Sequence, residues 1–96
     1  MENYDYDINL RTPLGLRAGK LFLSINEGSV KGELNLLGYK TPVEGSVEKE
    51  GKCLLSGEIK TFMSTMPFTA EGTADGHGIK LKLKTQKNNF TLTGNT

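Results

Sequence analysis

The sequence predicts an all-β protein: one small, eight-stranded antiparallel β-barrel of up-and-down (meander) topology. Three observations predict it. Apolar residues recur at alternate positions through most of the 96 residues, the signature of strands with one buried face. Turn signals recur about every dozen residues with no helical segment between them, and such short links force sequential antiparallel neighbours. Glycines recur inside the inward-facing sets, at Gly32, Gly45, Gly57, Gly72 and Gly94. In a flat sheet they would weaken each strand; in a small coiled barrel they relieve crowding where the sheet bends. Eight strands also match the smallest barrel that side chains can fill, or that can hold one small ligand. A curled open sheet is the competing architecture.

The elements follow in order. Tyr4, Tyr6, Ile8 and Leu10 alternate with Asp5, Asp7, Asn9 and Arg11, which makes a first strand. Thr12-Pro13-Leu14-Gly15 is a turn, with Pro early and Gly late. Leu14, Leu16 and Ala18 then hold one phase and Leu21, Leu23 and Ile25 the other, so a β-bulge is expected near Gly19. Residues 20–36 read as a hairpin. Leu21, Leu23 and Ile25 face the same side as Val30, Gly32, Leu34 and Leu36, and Asn26-Glu27-Gly28-Ser29 forms the turn, with Asn and Gly as the residues that tolerate positive φ. An amphipathic helix does not fit, because positions 21, 23 and 25 share no helical face.

Leu37-Gly38-Tyr39 turns the chain into a fourth strand carrying Thr41, Val43, Gly45 and Val47, with Pro42 expected at its start. Glu48-Lys49-Glu50-Gly51 is a charged turn. The fifth strand holds Cys53, Leu55, Gly57 and Ile59 inward and leaves Leu54 outward; the sixth holds Met66, Phe68, Ala70, Gly72 and Ala74. After Asp75-Gly76-His77-Gly78, the seventh strand sets Ile79, Leu81 and Leu83 against Lys80, Lys82 and Lys84. After a loop over 86–89, the eighth carries Phe90, Leu92 and Gly94.

Length and composition bound the function. The chain suits one domain, 1–96, with a modest core. A formal charge of +1 gives no general prior for nucleic acid or an acidic membrane. Cys53 is the only cysteine, so neither an internal disulfide nor a CxxC metal site is available, and a reducing compartment is expected. No basic, apolar leader opens the chain, and no run nears the ~18 apolar residues of a membrane helix. The expectation is a cytoplasmic protein without membrane insertion.

At this level the pattern resembles a known family. Thr12-Pro13-Leu14-Gly15, then KLFLSINEGSVKGEL (20–34), then TPVEGSV (41–47), is similar to a bacterial family of small calycin-like β-barrels. In that family a TPxG turn precedes a strand, a dGdxvxGxl hairpin and a pxxdGxv strand. MPFTAEGTADGHGIKLKL (66–83) and FTLTG (90–94) resemble the family's second half, which runs from an "mp" strand to a vdGd turn and a terminal fxGxR. The resemblance spans nearly the whole chain. It implies a calycin- or streptavidin-like barrel, found alone or as a tail on larger enzymes, and supplies no catalytic residue and no cofactor. The chain departs from the pattern at Asn95, where Arg often stands, and at 78–81, where a strand Gly often sits.

In a meander, alternate connections gather at opposite ends. The loops after strands two, four and six are tight and polar. Those after one, three, five and seven bring Leu14, Leu37, Tyr39, Phe62, Met63 and Met66 together with Pro13, Arg17 and Phe68 nearby. An apolar-lined end with adaptable Met is where a barrel would admit a ligand. The expected ligand site is therefore Leu14, Arg17, Leu37, Tyr39, Phe62, Met63, Met66 and Phe68, with Arg11, Arg17 or Lys40 for a carboxylate head group. The competing reading is that these residues plug the barrel.

Other chemistry is sparse. His77 lacks a partner for a triad and fellow ligands for a metal. Cys53 is expected buried and inert, and Asp5 and Asp7 sit on a solvated face. The lysines of strand seven have no interleaved aromatics, so no nucleic-acid partner is expected. No catalytic or metal-binding residue and no cofactor is assigned. The expectation is a non-enzymatic binding protein for a small apolar or amphipathic ligand. The alternative is a filled barrel acting as a structural or interaction module, whose exposed Phe22, Leu54 and residues of the apolar end meet a partner or a second copy of the chain.

Overall fold

The computed structural model describes residues 2–12, 15–36, 38–48, 50–60 and 63–96. Eight strands account for the order of elements: β1 (Glu2–Thr12), β2 (Gly15–Asn26), β3 (Ser29–Leu36), β4 (Tyr39–Val47), β5 (Lys52–Lys60), β6 (Thr65–Ala74), β7 (Gly78–Lys84) and β8 (Asn89–Asn95). Each pairs antiparallel with its sequence neighbours, and β8 returns to β1, so the sheet closes into an up-and-down barrel. The period-two pattern is its cause. Tyr6, Ile8 and Leu10, then Leu21 and Leu23, Val30, Leu34 and Leu36, and Ile79, Leu81 and Leu83 all turn inward and are buried. Tyr4, Ile25, Val47 and Met66 pack against that core from its two ends.

The register around the barrel fixes its stagger. A circuit from Glu2 passes through Ile25, Val30, Gly45, Leu55, Ala70 and Leu83 to Phe90. Phe90 lies one step past the Thr91–Arg11 pair and so faces Thr12, ten residues from the starting point Glu2. For eight strands a displacement of that size corresponds to a strand tilt of roughly 40°. It also makes neighbouring strands overlap incompletely. β8 pairs with β1 only over Asp7–Arg11, and β7 pairs with β6 only from Thr69 onward.

The inward glycines sit beside large side chains on both neighbouring strands. Gly32 lies between Leu23 and Val43, Gly45 between Val30 and Leu55, and Gly72 between Cys53 and Leu81. A Cβ at Gly45 would run into the Leu54 carbonyl, and one at Gly32 into the Phe22 carbonyl. Strongly bent backbones approach each other at these points, and small residues alternate with large ones around the interior.

Three expectations are corrected. No bulge interrupts β2: its register with β1 and β3 is continuous through Gly19. Leu16 and Ala18 simply face outward, Leu16 at 59% exposure. Gly19 is glycine because the Asn35 carbonyl and the Leu36 side chain lie 2.5 and 3.0 Å from where its Cβ would be. In the β2–β3 hairpin Asn26 pairs with Ser29, which leaves a two-residue loop. The positive φ angles therefore fall on Glu27 (53°) and Gly28 (84°), not on Asn26, as a type I′ turn requires. Pro42 is the fourth residue of β4, not its first. The β4–β5 ladder begins one residue later, at Val43. Pro42 has no N–H to offer, and the hydroxyl of Thr41, the one buried polar residue in the core among the described residues, donates to the Glu58 carbonyl at 2.7 Å. Pro67 likewise lies on the stretch of β6 that precedes its pairing with β7.

Candidate functional site

Of the residues singled out in the sequence, the described ones, Arg17, Tyr39, Met63, Met66 and Phe68, lie toward the end bearing the β1–β2, β3–β4, β5–β6 and β7–β8 connections. Arg17 takes the inward phase of β2 opposite Leu10 and is half-buried, and its guanidinium donates to the Leu16 carbonyl at 3.3 Å. Tyr39 opens β4 half-buried, with the Lys60 ammonium 5.9 Å from its ring centre. Met66 packs on the core beside Ile59, and Phe68, one inward position deeper on β6, is buried in it. Met63 is 89% exposed. Leu14, Leu37 and Phe62 lie outside the described residues. Of the three cations considered for a head group, only Arg17 takes the inward phase; Arg11 and Lys40 are on the outer face and exposed. Beneath this end Leu10, Leu36, Ile59 and Phe90 are buried and fill the interior.

A cleft lies at the opposite end, where the turns are tight, and the stagger produces it. Glu2–Tyr6 runs past the last β8 pair at Asp7 and overhangs the barrel end. Between this overhang and the three turns is an open cleft of about 880 Å³. Its apolar lining is Tyr4, Ile25, Val47 and Ala74, all packed on the core. Its rim carries Glu2, Glu27, Glu48 and Asp75, all exposed. No basic side chain lines it among the described residues.

Hydrogen bonds hold the floor in place. The Tyr6 hydroxyl donates to the Asp75 carbonyl at 2.6 Å, which pins the β6–β7 turn to the overhanging strand. The Tyr4 hydroxyl donates to Glu2 Oε2 at 2.7 Å, and its ring stands 6.0 Å from that of Tyr6 and beside Gly76. The Asp75 carboxylate accepts the backbone N–H groups of His77 (2.8 Å) and Gly78 (2.9 Å). These two bonds, His77 first, stabilise the carboxylate and hold its pKa below the ordinary carboxylate range. The hydrogen bond to Glu2, followed by burial, raises the Tyr4 phenol. Burial pushes Tyr6 up to about 12. Burial also raises Cys53 to about 11, and its side chain is fully enclosed. No group of three His, Cys, Asp or Glu side chains is placed to hold a metal ion among the described residues.

Reading the sequence missed this cleft because it ranked the ends by apolar loop content. The available signal was the sign of the charge: each tight turn at this end carries an acid, at Glu27, Glu48 and Asp75. Ile25, Val47 and Ala74 adjoin these turns in sequence, so a meander already places them at this end; only the reach of Tyr4 over them depends on the register. Comparison with family models, curated proteins and solved structures gives no match to this chain.

Proposed function

We propose that this barrel is a non-enzymatic binding protein for a small amphipathic molecule with an apolar body and a cationic head group. The ligand would sit at the tight-turn end rather than inside the barrel. One observation carries the reading: a concave site with an apolar floor of Tyr4, Ile25, Val47 and Ala74 is ringed by the carboxylates of Glu2, Glu27, Glu48 and Asp75. Apolar floors with a few convergent polar groups are the usual form of small-molecule sites, and carboxylates select an ammonium or guanidinium head. The filled interior supports an end site over a buried one. Leu16, Phe22 and Leu54 are exposed on β2 and β5 but stand apart from one another, which favours this reading over an apolar self-association face.

The test is amide chemical-shift mapping with octylamine and octanoate as a matched pair. Octylamine should shift Glu27, Gly28, Val47 and Asp75 in a saturable manner, and octanoate should not. Glu27→Gln combined with Glu48→Gln should weaken octylamine binding about tenfold, the loss of two partly exposed charge contacts. Equal responses to both amphiphiles, or shifts confined to the Tyr39–Met66 end, would remove the proposal.

A further inference from the structure

A second feature lies on the outer face of β6–β8. Lys80, Lys82 and Lys84 are all exposed and point outward from β7. Their cross-strand neighbours are Thr73, Glu71 and Thr69 on β6, and Thr93, Thr91 and Asn89 on β8. Lys52 adjoins through Thr73, and Arg11 through Thr91. Five basic side chains thus share the face with two acids, Glu71 and, at the turn end, Asp75. The remaining seven basic and nine acidic residues leave the rest of the chain at −2 within a total of +1. The charge of the chain is sorted, with this face basic and the tight-turn end acidic.

Three shallow clefts adjoin along the strand. The first, of about 430 Å³, is bordered by Thr73, Asp75, His77, Lys80 and Thr93. The second, of about 360 Å³, is bordered by Lys52, Glu71, Lys80 and Lys82. The third, of about 200 Å³, is bordered by Thr69, Glu71, Lys82 and Lys84. Lys80 is shared by the first and second, and Lys82 by the second and third, so the clefts form one interrupted trough.

We propose that this trough is a docking surface for a linear phosphate polyanion, with inorganic polyphosphate as its simplest form. Alternate residues of a strand are about 6.6 Å apart and neighbouring strands about 4.8 Å, so the trough admits one thin chain with a cation at each step. Threonine hydroxyls beside each lysine supply donors to phosphate oxygens. Among the described residues no aromatic side chain is on the face for base stacking, which argues against single-stranded nucleic acid. A convex barrel wall meets a flat bilayer along one strand only. The acidic tight-turn end, which adjoins the trough at Asp75, steers an approaching polyanion away from itself and along the lysines.

The experiment is titration of a labelled long-chain polyphosphate into the full chain at 50 and 200 mM salt. We expect binding that weakens at least about tenfold between the two salts, as release of several counterions requires. The triple variant K80Q/K82Q/K84Q should lose at least tenfold in affinity at 50 mM salt. The charge-matched triple variant K20Q/K31Q/K40Q, altered on β2–β4, should keep it. Equal loss in both variants, or no binding by the wild type at 50 mM, overturns the proposal. So does tighter binding of an oligonucleotide or an anionic phospholipid vesicle than of polyphosphate at equal charge. If the first variant does not fold, amide shifts of the wild type decide: perturbation centred on β6–β8 supports the trough, and perturbation elsewhere refutes it.

Discussion

Cys53 and Tyr6 are two buried groups whose protons the fold retains. Both are enclosed by the core, and burial penalises thiolate and phenolate alike. The sign of the linkage follows. A folded-state pKa above the unfolded value means that the native state holds the proton more tightly. The resulting stability is complete below the unfolded pKa and is lost as the pH rises toward the folded one. For Cys53 that window runs from 9.0 to about 11, and for Tyr6 from 10.0 to about 12. Denaturant unfolding measured from pH 8 to 12 should show stability falling across this range. Cys53→Ala should remove the early part of the fall and leave the later one. A flat profile in the wild type would contradict the buried, protonated state of both. The inward position and enclosure of Cys53 were legible from its phase in KCLLSGEIK. The Tyr6 bond to the Asp75 carbonyl was not, because 69 residues separate the partners.

At the scale of the strand, alternation and turn chemistry made all eight elements legible, and local exceptions caused the errors. The supposed slip in β2 arose from reading Leu16 as core. An outward Leu on an otherwise regular strand looks the same in sequence as a phase change, and only pairing with Arg11 separates the two. The role of the inward glycines was legible in kind, but the backbone each one meets was not. Gly45→Ala should cost about 3 kcal/mol or more, at the upper end of overpacking effects, because the new methyl meets the Leu54 carbonyl rather than a movable side chain. Gly76→Ala should stay within about 0.5 kcal/mol, as expected of a surface change. Its Cβ would meet only the Tyr4 ring edge, at 3.6 Å. Thermal denaturation of the pair checks this, and comparable losses would show that bending at Gly45 is not what excludes a side chain.

At the scale of the whole molecule, the closing β1–β8 ladder and the β4–β5 ladder are the shortest, with five pairs each. β5 and β6 pair from Lys52 to Lys60 against Thr65 to Thr73, whereas β1 and β8 join only over Asp7–Arg11. Short ladders open at lower free energy than long ones. Native-state hydrogen exchange should therefore find amides of the β1–β8 seam less protected than those of β5–β6; the reverse order would mean that the seam folds with the core. The sequence by itself determined that the chain is all strand, which side chains face inward, where the turns fall and that the links run up and down. These are properties of neighbouring residues, set by a period of two and by turn conformations. Only the tertiary structure decided the ten-residue stagger, and with it how far Glu2–Tyr6 reaches over the acid-rimmed end. Stagger is a condition on the complete circuit of eight strands. No single hairpin contains it, so the overhang of Glu2–Tyr6 and the meeting of Glu27, Glu48 and Asp75 around Tyr4 exist only once the last strand has found the first.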